Sequence, residues 1–279
     1  MDIDFDEYIS EENLKEIEFN INDIEKSSYV DLSEELLPPD TLLSIGEHTY
    51  KGNSYPTSLC TSSEFSAIIA ESKKKKSFIK SAFIASFIGG NSNQLFPNIK
   101  SHRKEDFTIL DFDTEQGAYY AQRTFRRVND MVGGLYPNYK CYITRNLPSE
   151  QRLKLIDYCL ANQDKLYNTK VKFVSIDGIA DLIENTNDIV MSKQAADYLT
   201  KWTYEYGIHV MTVIHKSGST GKPLGHLGTY VLKKAENVIS LEQNEDGSIN
   251  VSNPFSRGYR FDDFNFDVNS NGLPYLIEL

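Results

Sequence analysis

Lys76 and Ser77 stand side by side at the end of the run Ser72-Lys73-Lys74-Lys75-Lys76-Ser77, directly after the β-prone stretch Ser66-Ala-Ile-Ile-Ala70. An ammonium beside a hydroxyl, where a short loop enters a helix, is the set of groups that holds a phosphate chain. Backbone N–H groups at the helix start face the anion, the lysine reaches the terminal phosphates, and the hydroxyl takes one Mg²⁺ position. Further along, apolar runs end in Glu115, in Asp177 and in His215-Lys216. Oxygen ligands suit a hard cation, and a carboxylate can orient an attacking water. The chemistry such a set could do together is cleavage at phosphorus.

These side chains need strands and helices to bring them to one place. Ala67, Ile68 and Ile69 predict a strand, and Phe78, Ala82, Ala85 and Phe87 recur at helical spacing through Ile88. Gly89-Gly90-Asn91 then reads as a helix stop. Against the pattern G-x-x-x-x-G-K-[ST], Ala70 takes the first glycine and Lys75 the second, so Lys76 and Ser77 are the positions that fit. Strands follow at Phe107–Phe112, Tyr139–Ile143, Val171–Asp177 and Ile208–Ile214. Between them fall helices from Asp113-Thr-Glu-Gln116 to about Val132, over Ser149–Leu160 with Ser149 as cap, and over Ser192–Tyr206. Apolar strands alternating with helices predict a mostly parallel sheet covered on both faces, an α/β class. The tail changes to strands at Asn237–Glu242, Ser248–Val251, Tyr259–Phe266 and Pro274–Glu278 around Asp246-Gly247 and Asn271-Gly272 turns, an antiparallel extension.

Charge divides the chain. Residues 1–50 hold 15 Asp and Glu against two Lys, while the whole chain carries −11, so the body beyond is close to neutral. Residues 1–36 read as an acidic arm with helical pieces at Glu11–Phe19 and Leu32–Leu37, ended by Pro38-Pro39. Residues 37–279 read as one domain, opened by strand and turn over Thr41–Thr61. An acidic arm serves as a solvated tail or docks on a basic surface, and it does not exclude nucleic-acid binding by the body. The longest apolar run, Phe78–Ile88, is interrupted by Lys80 and too short for a bilayer, so no membrane partner is expected. Cys60, Cys141 and Cys159 form no C-x-x-C pattern, and the start Met1-Asp-Ile-Asp-Phe-Asp-Glu lacks a secretion signal. Both point to a reducing, cytoplasmic setting without a zinc or disulfide framework.

In doubly wound sheets ligands sit at the carboxyl ends of strands. The order of residues at those ends resembles the RecA-like P-loop ATPases, above all the RepA/DnaB-type hexameric helicase branch and related ATPases of mobilisable elements. Ser66 to Ser77 resembles their Walker A segment. Leu110-Asp-Phe-Asp-Thr-Glu-Gln116 resembles the strand end with the catalytic glutamate, placed on Glu115. Phe173 to Leu182 resembles Walker B, with Asp177 its acid, and Val213-Ile-His-Lys-Ser217 resembles the sensor strand, with His215 the γ-phosphate sensor. The resemblance implies a RecA-like fold that binds ATP with Mg²⁺. Ala70, Glu71, Ser72, Lys73, Lys74, Lys75, Lys76, Ser77 and Phe78 would cradle the nucleotide, Ser77 and Asp177 would hold the metal, and Lys76, Glu115 and His215 would serve catalysis. It also implies a homo-oligomeric ring, a hexamer in the named branch, with Arg257 or Arg260 acting on the neighbouring subunit's site. The segment Ser217–Gly228 would be a loop facing single-stranded DNA, with Lys216, Lys222 and His226 on the phosphates; its four glycines and one proline also predict irregular structure.

Each residue alone has a structural alternative. Four lysines also make a solvated turn, Asp177 a helix N-cap, Glu115 a first-turn carboxylate, His215 a core histidine, Arg257 and Arg260 solvated strand arginines, and Ser217–Gly228 a surface Ω-loop. Three functions therefore stand open: an ATP-driven ring acting on DNA in replication or mobilisation of a mobile element, a nucleotide-binding accessory protein with little turnover, and a small-molecule phosphotransferase. The missing glycines weigh against turnover. The retained Ser77, Glu115 and Asp177 weigh for it.

Overall fold

Apolar runs become buried strands and the segments between them become helices. The computed structural model describes residues 21–216 and 225–277. The chain divides into two units, Met1–Pro38 and Pro39–Leu279. In the first, residues 21–28 form a helix and 34–38 have no regular structure, so the helical piece expected at Leu32–Leu37 is absent and Glu11–Phe19 lies outside the described residues. Pro38-Pro39 deprives the segment of helical continuation.

The second unit opens with the long hairpin β1 (Thr41–Tyr50) and β2 (Asn53–Thr61), turned at Lys51-Gly52. β3 (Phe65–Ala70) leads through the lysine loop into α1 (Lys76–Ile88). The short α2 (Ser92–Leu95) and β4 (Ile99–Ser101) follow, and β4 joins β1 and β2 in a three-stranded sheet. Then come β5 (Thr108–Asp113), α3 (Ala118–Val132), β6 (Tyr139–Ile143), α4 (Ser149–Ala161), α5 (Gln163–Leu166) and β7 (Val171–Asp177). A 3₁₀ turn at Ile179–Leu182 precedes α6 (Ile189–Tyr206), β8 (His209–His215) and α7 (Gly225–Lys234). The chain ends in β9 (Asn237–Gln243), β10 (Ile249–Ser256), β11 (Phe264–Val268) and β12 (Pro274–Ile277).

The main sheet runs β12-β11-β10-β9-β3-β8-β7-β5-β6. From β9 to β6 all neighbours are parallel, and from β9 to β12 all are antiparallel. β9 therefore belongs to both halves: the first tail strand, expected to open the antiparallel part, also pairs parallel with β3. Alternate strand residues feed two cores. Ile68, Phe173 and Val213 pack with α1 and α3, while Ala67, Ile69, Val174 and Ile176 pack with α4, α6 and α7. The α1–α3 packing is close enough that a Cβ on Gly90, at φ +69°, would stand 2.3 Å from the Val132 carbonyl oxygen. Glycine is required there both for the backbone angle and for the space.

Other boundaries move for local reasons. α3 starts at Ala118, not Asp113, because Asp113 Oδ1 accepts the Glu115 and Gln116 N–H groups at 3.1 and 2.7 Å and holds a turn instead. Ser149 is the first helical residue of α4 and not its cap; Pro148 takes that place without a side-chain bond. α6 begins earlier than Ser192, capped by Asp188, whose Oδ1 accepts from Met191 N at 2.8 Å. Residues 259–263 are not strand, so β11 is shorter than the apolar pattern predicts.

Candidate phosphate and metal site

Ala70 is the last residue of β3, and the loop after it must turn the chain into α1 within five residues. Glycines would do this cheaply. Here Lys73 and Lys75 adopt φ of 64° and 54°, left-handed conformations that cost roughly 1–2 kcal/mol for a residue with a Cβ. Lys75 holds the place of the second glycine, and its side chain turns away. Its Nζ lies 2.6 Å from Asp267 Oδ1 on β11 and donates to the Gly247 carbonyl at 3.3 Å. Lys74 likewise donates to Gln243 Oε1 at 2.9 Å. The ammonium groups of Lys74 and Lys75, expected around the nucleotide, are thus directed to the antiparallel tail. This separates them from Lys76 and limits the mutual repulsion a cluster would cause.

Lys76 opens α1, and Ser77 follows in its first turn, where N–H groups have no intrahelical acceptor. All three N–H donors of Lys76 are engaged: with the carbonyls of Ala70 at 3.2 Å and Glu71 at 2.7 Å, and with His215 Nδ1 at 3.0 Å. Lysine can only donate, so Nδ1 of His215 accepts and carries no proton. Its Nε2–H then donates to Glu115 Oε1 at 2.8 Å. Lys76, His215 and Glu115 form one chain across the ends of β3, β8 and β5. β8 lies between β3 and β7 in the sheet, which is why His215 can bridge them.

Asp177 ends β7 beside Asp113 in the parallel register. Thr114 ties the two strand ends together: its N–H donates to Asp177 O at 2.8 Å, and its Oγ1 accepts from Gly178 N at 2.8 Å and donates to Asp181 Oδ2 at 2.6 Å. Gly178 leaves room for the glutamate, since a Cβ there would stand 3.1 Å from Glu115 Oε1 and 3.3 Å from Val213 O. An open cleft of about 390 Å³ is lined by Lys73 to Phe78, Glu115, Gln116, Asp177 and His215. The expected Lys76, Ser77, Glu115, Asp177 and His215 therefore meet. Ala70, Glu71 and Ser72 precede that lining, and the first two offer carbonyls to Lys76.

Electrostatics follow the contacts. The hydrogen bond from His215 holds the Glu115 carboxyl below its usual range. Burial raises Asp177 and Asp113 and lowers Lys76, although Glu115 and Asp177 pull the lysine the other way. For a metal, among the described residues no group of three or more His, Cys, Asp or Glu is placed to hold one. The donors present are the Ser77 hydroxyl and the Asp177 carboxylate, hard oxygens too few for a closed site. That set fits Mg²⁺, which keeps waters and takes further oxygens from phosphates.

Other expected residues lie elsewhere. Arg257 is not at this rim. Its N–H donates to Glu236 O, and its guanidinium to Glu64 at 3.1 and 3.3 Å, both at the amino ends of the strands. Arg260 is exposed in the segment between β10 and β11. Lys216, expected on DNA phosphates, lies along β9: its Nζ donates to Ser240 Oγ at 2.8 Å and its side chain is 15% exposed. Lys222 lies outside the described residues. His226 is exposed, but in the first turn of α7, so the stretch from Gly225 to Gly228 is helix and not loop; its two glycines are outweighed by burial of Leu227 and Val231.

Sequence reasoning missed what stands behind the rim. Lys80, one turn after Lys76, is fully buried, with Nζ 3.1 Å from Asp111 Oδ1 and 3.3 Å from Asp177 Oδ2. Burial works against its charge, yet the two aspartates outweigh it and hold the ammonium above the ordinary lysine range. Arg127 of α3 is buried against the Phe78 ring at 3.7 Å and donates to Ser77 O at 3.3 Å; burial lowers it to about 10. The signal for Lys80 was visible, a lysine inside an apolar helix, but its acids lie far off in sequence.

No family model matches the chain, and no curated protein matches it. Among solved structures it is similar to one described as an ATPase domain, at TM-score 0.55 and 14% identity, over 77% of this chain and 85% of that one. No helix among the described residues is long and apolar enough to cross a membrane. The likeness shows the fold: a RecA-like α/β fold with a mostly parallel sheet between helices and an antiparallel C-terminal extension.

Proposed function

We propose that the chain binds ATP with Mg²⁺ at this cleft and hydrolyses it, acting on DNA in replication or mobilisation of a mobile element. The observation that supports this most is the meeting of Lys76, Glu115, Asp177 and His215, from four different strand ends, around one opening. In this reading the terminal phosphates replace the Ala70 and Glu71 carbonyls and His215 as acceptors for Lys76. The exchange frees Nδ1 of His215, which on taking up a proton can donate to the γ-phosphate while Nε2–H stays on Glu115. Glu115 orients the attacking water, and its lowered acidity range keeps it an acceptor at neutral pH. Ser77 and Asp177 hold the metal, which neutralises phosphate charge when bound. The similarity to a solved ATPase domain supports the same reading.

The oligomer is proposed as a ring, hexameric by resemblance, in which Arg257 or Arg260 reaches the neighbour's site. Arg257 would have to leave Glu64 to do so, which makes the exposed Arg260 the better candidate. DNA contact is assigned to the segment around Lys222 and His226, in a reducing cytoplasm.

A second reading has its own observation. Lys76 has every donor engaged and Lys75 holds a strained angle where glycine would be free. A loop built this way suits a nucleotide-binding accessory protein that binds and rarely turns over. Turnover measured with and without single-stranded DNA separates the two: DNA-stimulated hydrolysis supports the motor, and saturable binding without hydrolysis supports the accessory protein. For the DNA segment, Lys222→Ala with His226→Ala should flatten the salt dependence of binding, and an unaltered slope removes that assignment.

A further inference from the structure

Lys80 sits at 0% exposure on the inner face of α1, among Ile79, Phe83 and Ile84. Burying an ammonium costs several kcal/mol unless it is well paired, and an apolar side chain of similar size often serves stability as well or better. The fold keeps the charge and builds around it. Asp111 Oδ1 takes one side at 3.1 Å, and Asp111 Oδ2 is fixed in turn by the Tyr139 hydroxyl at 2.6 Å. Asp177 Oδ2 takes the other side at 3.3 Å. Asp113, the third buried acid here, is held by its own turn through Glu115 N, Gln116 N and Gln116 Nε2. One oxygen of Asp177 is thus anchored to the helix that carries Lys76 and Ser77, while the residue still lines the cleft.

We propose that Lys80 is a positioning residue for the metal half of the site: it pins Oδ2 of Asp177, backed by Asp111 and Tyr139, and leaves Oδ1 to serve the divalent cation that accompanies the nucleotide. This rests on the reading of Asp177 given above. It makes Asp177 a ligand through a single oxygen and ties its orientation to α1, so that Ser77 and Asp177 keep a fixed separation.

The test uses the full chain and reads binding, not turnover. Lys80→Met with Asp111→Asn removes one charge of each sign, so Asp111 is not left as an unpaired acid and only Asp177, at the cleft, loses its ammonium partner. A fluorescent adenine nucleotide is titrated in EDTA, and its Mg²⁺ dependence is then measured at fixed nucleotide. The double variant should bind within twofold of wild type in EDTA and need about tenfold more Mg²⁺ for half-saturation. Tyr139→Phe, which only releases Asp111, should shift the Mg²⁺ midpoint two- to threefold in the same direction. An unaltered or lower Mg²⁺ midpoint in the folded double variant overturns the proposal, as does an unaltered midpoint in Tyr139→Phe. Should wild type bind no nucleotide in either buffer, the site reading itself falls. Mg²⁺-dependent binding that ignores both variants removes only the role of Lys80.

Discussion

The two ends of the parallel strands treat charge in opposite ways. At the amino ends, Arg257 closes on Glu64 and on the Lys234 carbonyl, and Glu236 accepts from Thr61 N at 3.2 Å. His209 is locked between Ser66 Oγ at 2.9 Å and Thr61 O at 2.8 Å. Those contacts seal the sheet against the β1–β2 hairpin. At the carboxyl ends, Lys76, His215 and Glu115 hold one another across an opening, with carbonyls and a ring nitrogen as partners that an anion can replace. Polar groups serve packing at one end and remain exchangeable at the other. The same strands therefore carry a sealed rim at one end and an open cleft at the other.

The sharpest way to break this contrast is to change the rim and leave the seal alone. Glu115→Gln should keep nucleotide affinity within about threefold and lower turnover by about 10²-fold or more, the range of a lost general base, in a steady-state phosphate-release assay. Turnover at wild-type rate would take Glu115 out of the chemistry. Gly178→Ala should come next. The added Cβ meets Glu115 Oε1 and Val213 O, so turnover should fall about tenfold by misplacement of the carboxylate, with little loss of binding.

At the loop, conformation can be separated from charge. Lys75→Gly relieves the left-handed backbone and loses a partly exposed ion pair worth about 0–1 kcal/mol, so melting temperature and affinity should stay near wild type. Lys75→Ile, β-branched at the same angle, should weaken nucleotide binding about tenfold. Equal behaviour of the two would mean the angle does not matter.

The smallest effect on the site should come from the sealed end. Burial pushes the Glu236 carboxyl up to about 7 from an ordinary value of 4.5. The folded state keeps that proton where the unfolded chain has lost it. The resulting stabilisation is complete below about pH 4.5 and is lost as pH rises through 7. Glu236→Gln should therefore melt about 2–5 °C higher at pH 8, nearly unaltered at pH 5, and bind nucleotide like wild type. A change in nucleotide affinity would show that the two ends are coupled.

Much of the frame was legible in the sequence, for reasons tied to particular residues. Val171–Ile176 and Ile208–Ile214 are mostly apolar because both faces of their strands are covered, and each is followed by the polar residue that reaches the rim, Asp177 and His215. The place of Lys76 and Ser77 at the entry to a helix was readable from the strand and apolar helix on either side of them. What stayed hidden depends on distant partners. Lys80 stands out as a lysine inside an apolar helix, but its part is hidden until Asp111 and Asp177 are placed beside it, and Lys75 looks like a phosphate ligand until β11 brings Asp267 to its ammonium. Arg257 carried the right residue type, but it lies at the sealed end because β10 runs antiparallel to β9 and delivers its last residues there.

The central claim is that the exchangeable rim holds a metal-bound triphosphate on Lys76. Calorimetric titration of the full chain with ATP and Mg²⁺, beside Lys76→Ala at matched folding, tests it most directly. Saturable binding by wild type, weakened at least a hundredfold in Lys76→Ala, is the expected result. No heat of binding in wild type, or equal affinity in the two proteins, would contradict it.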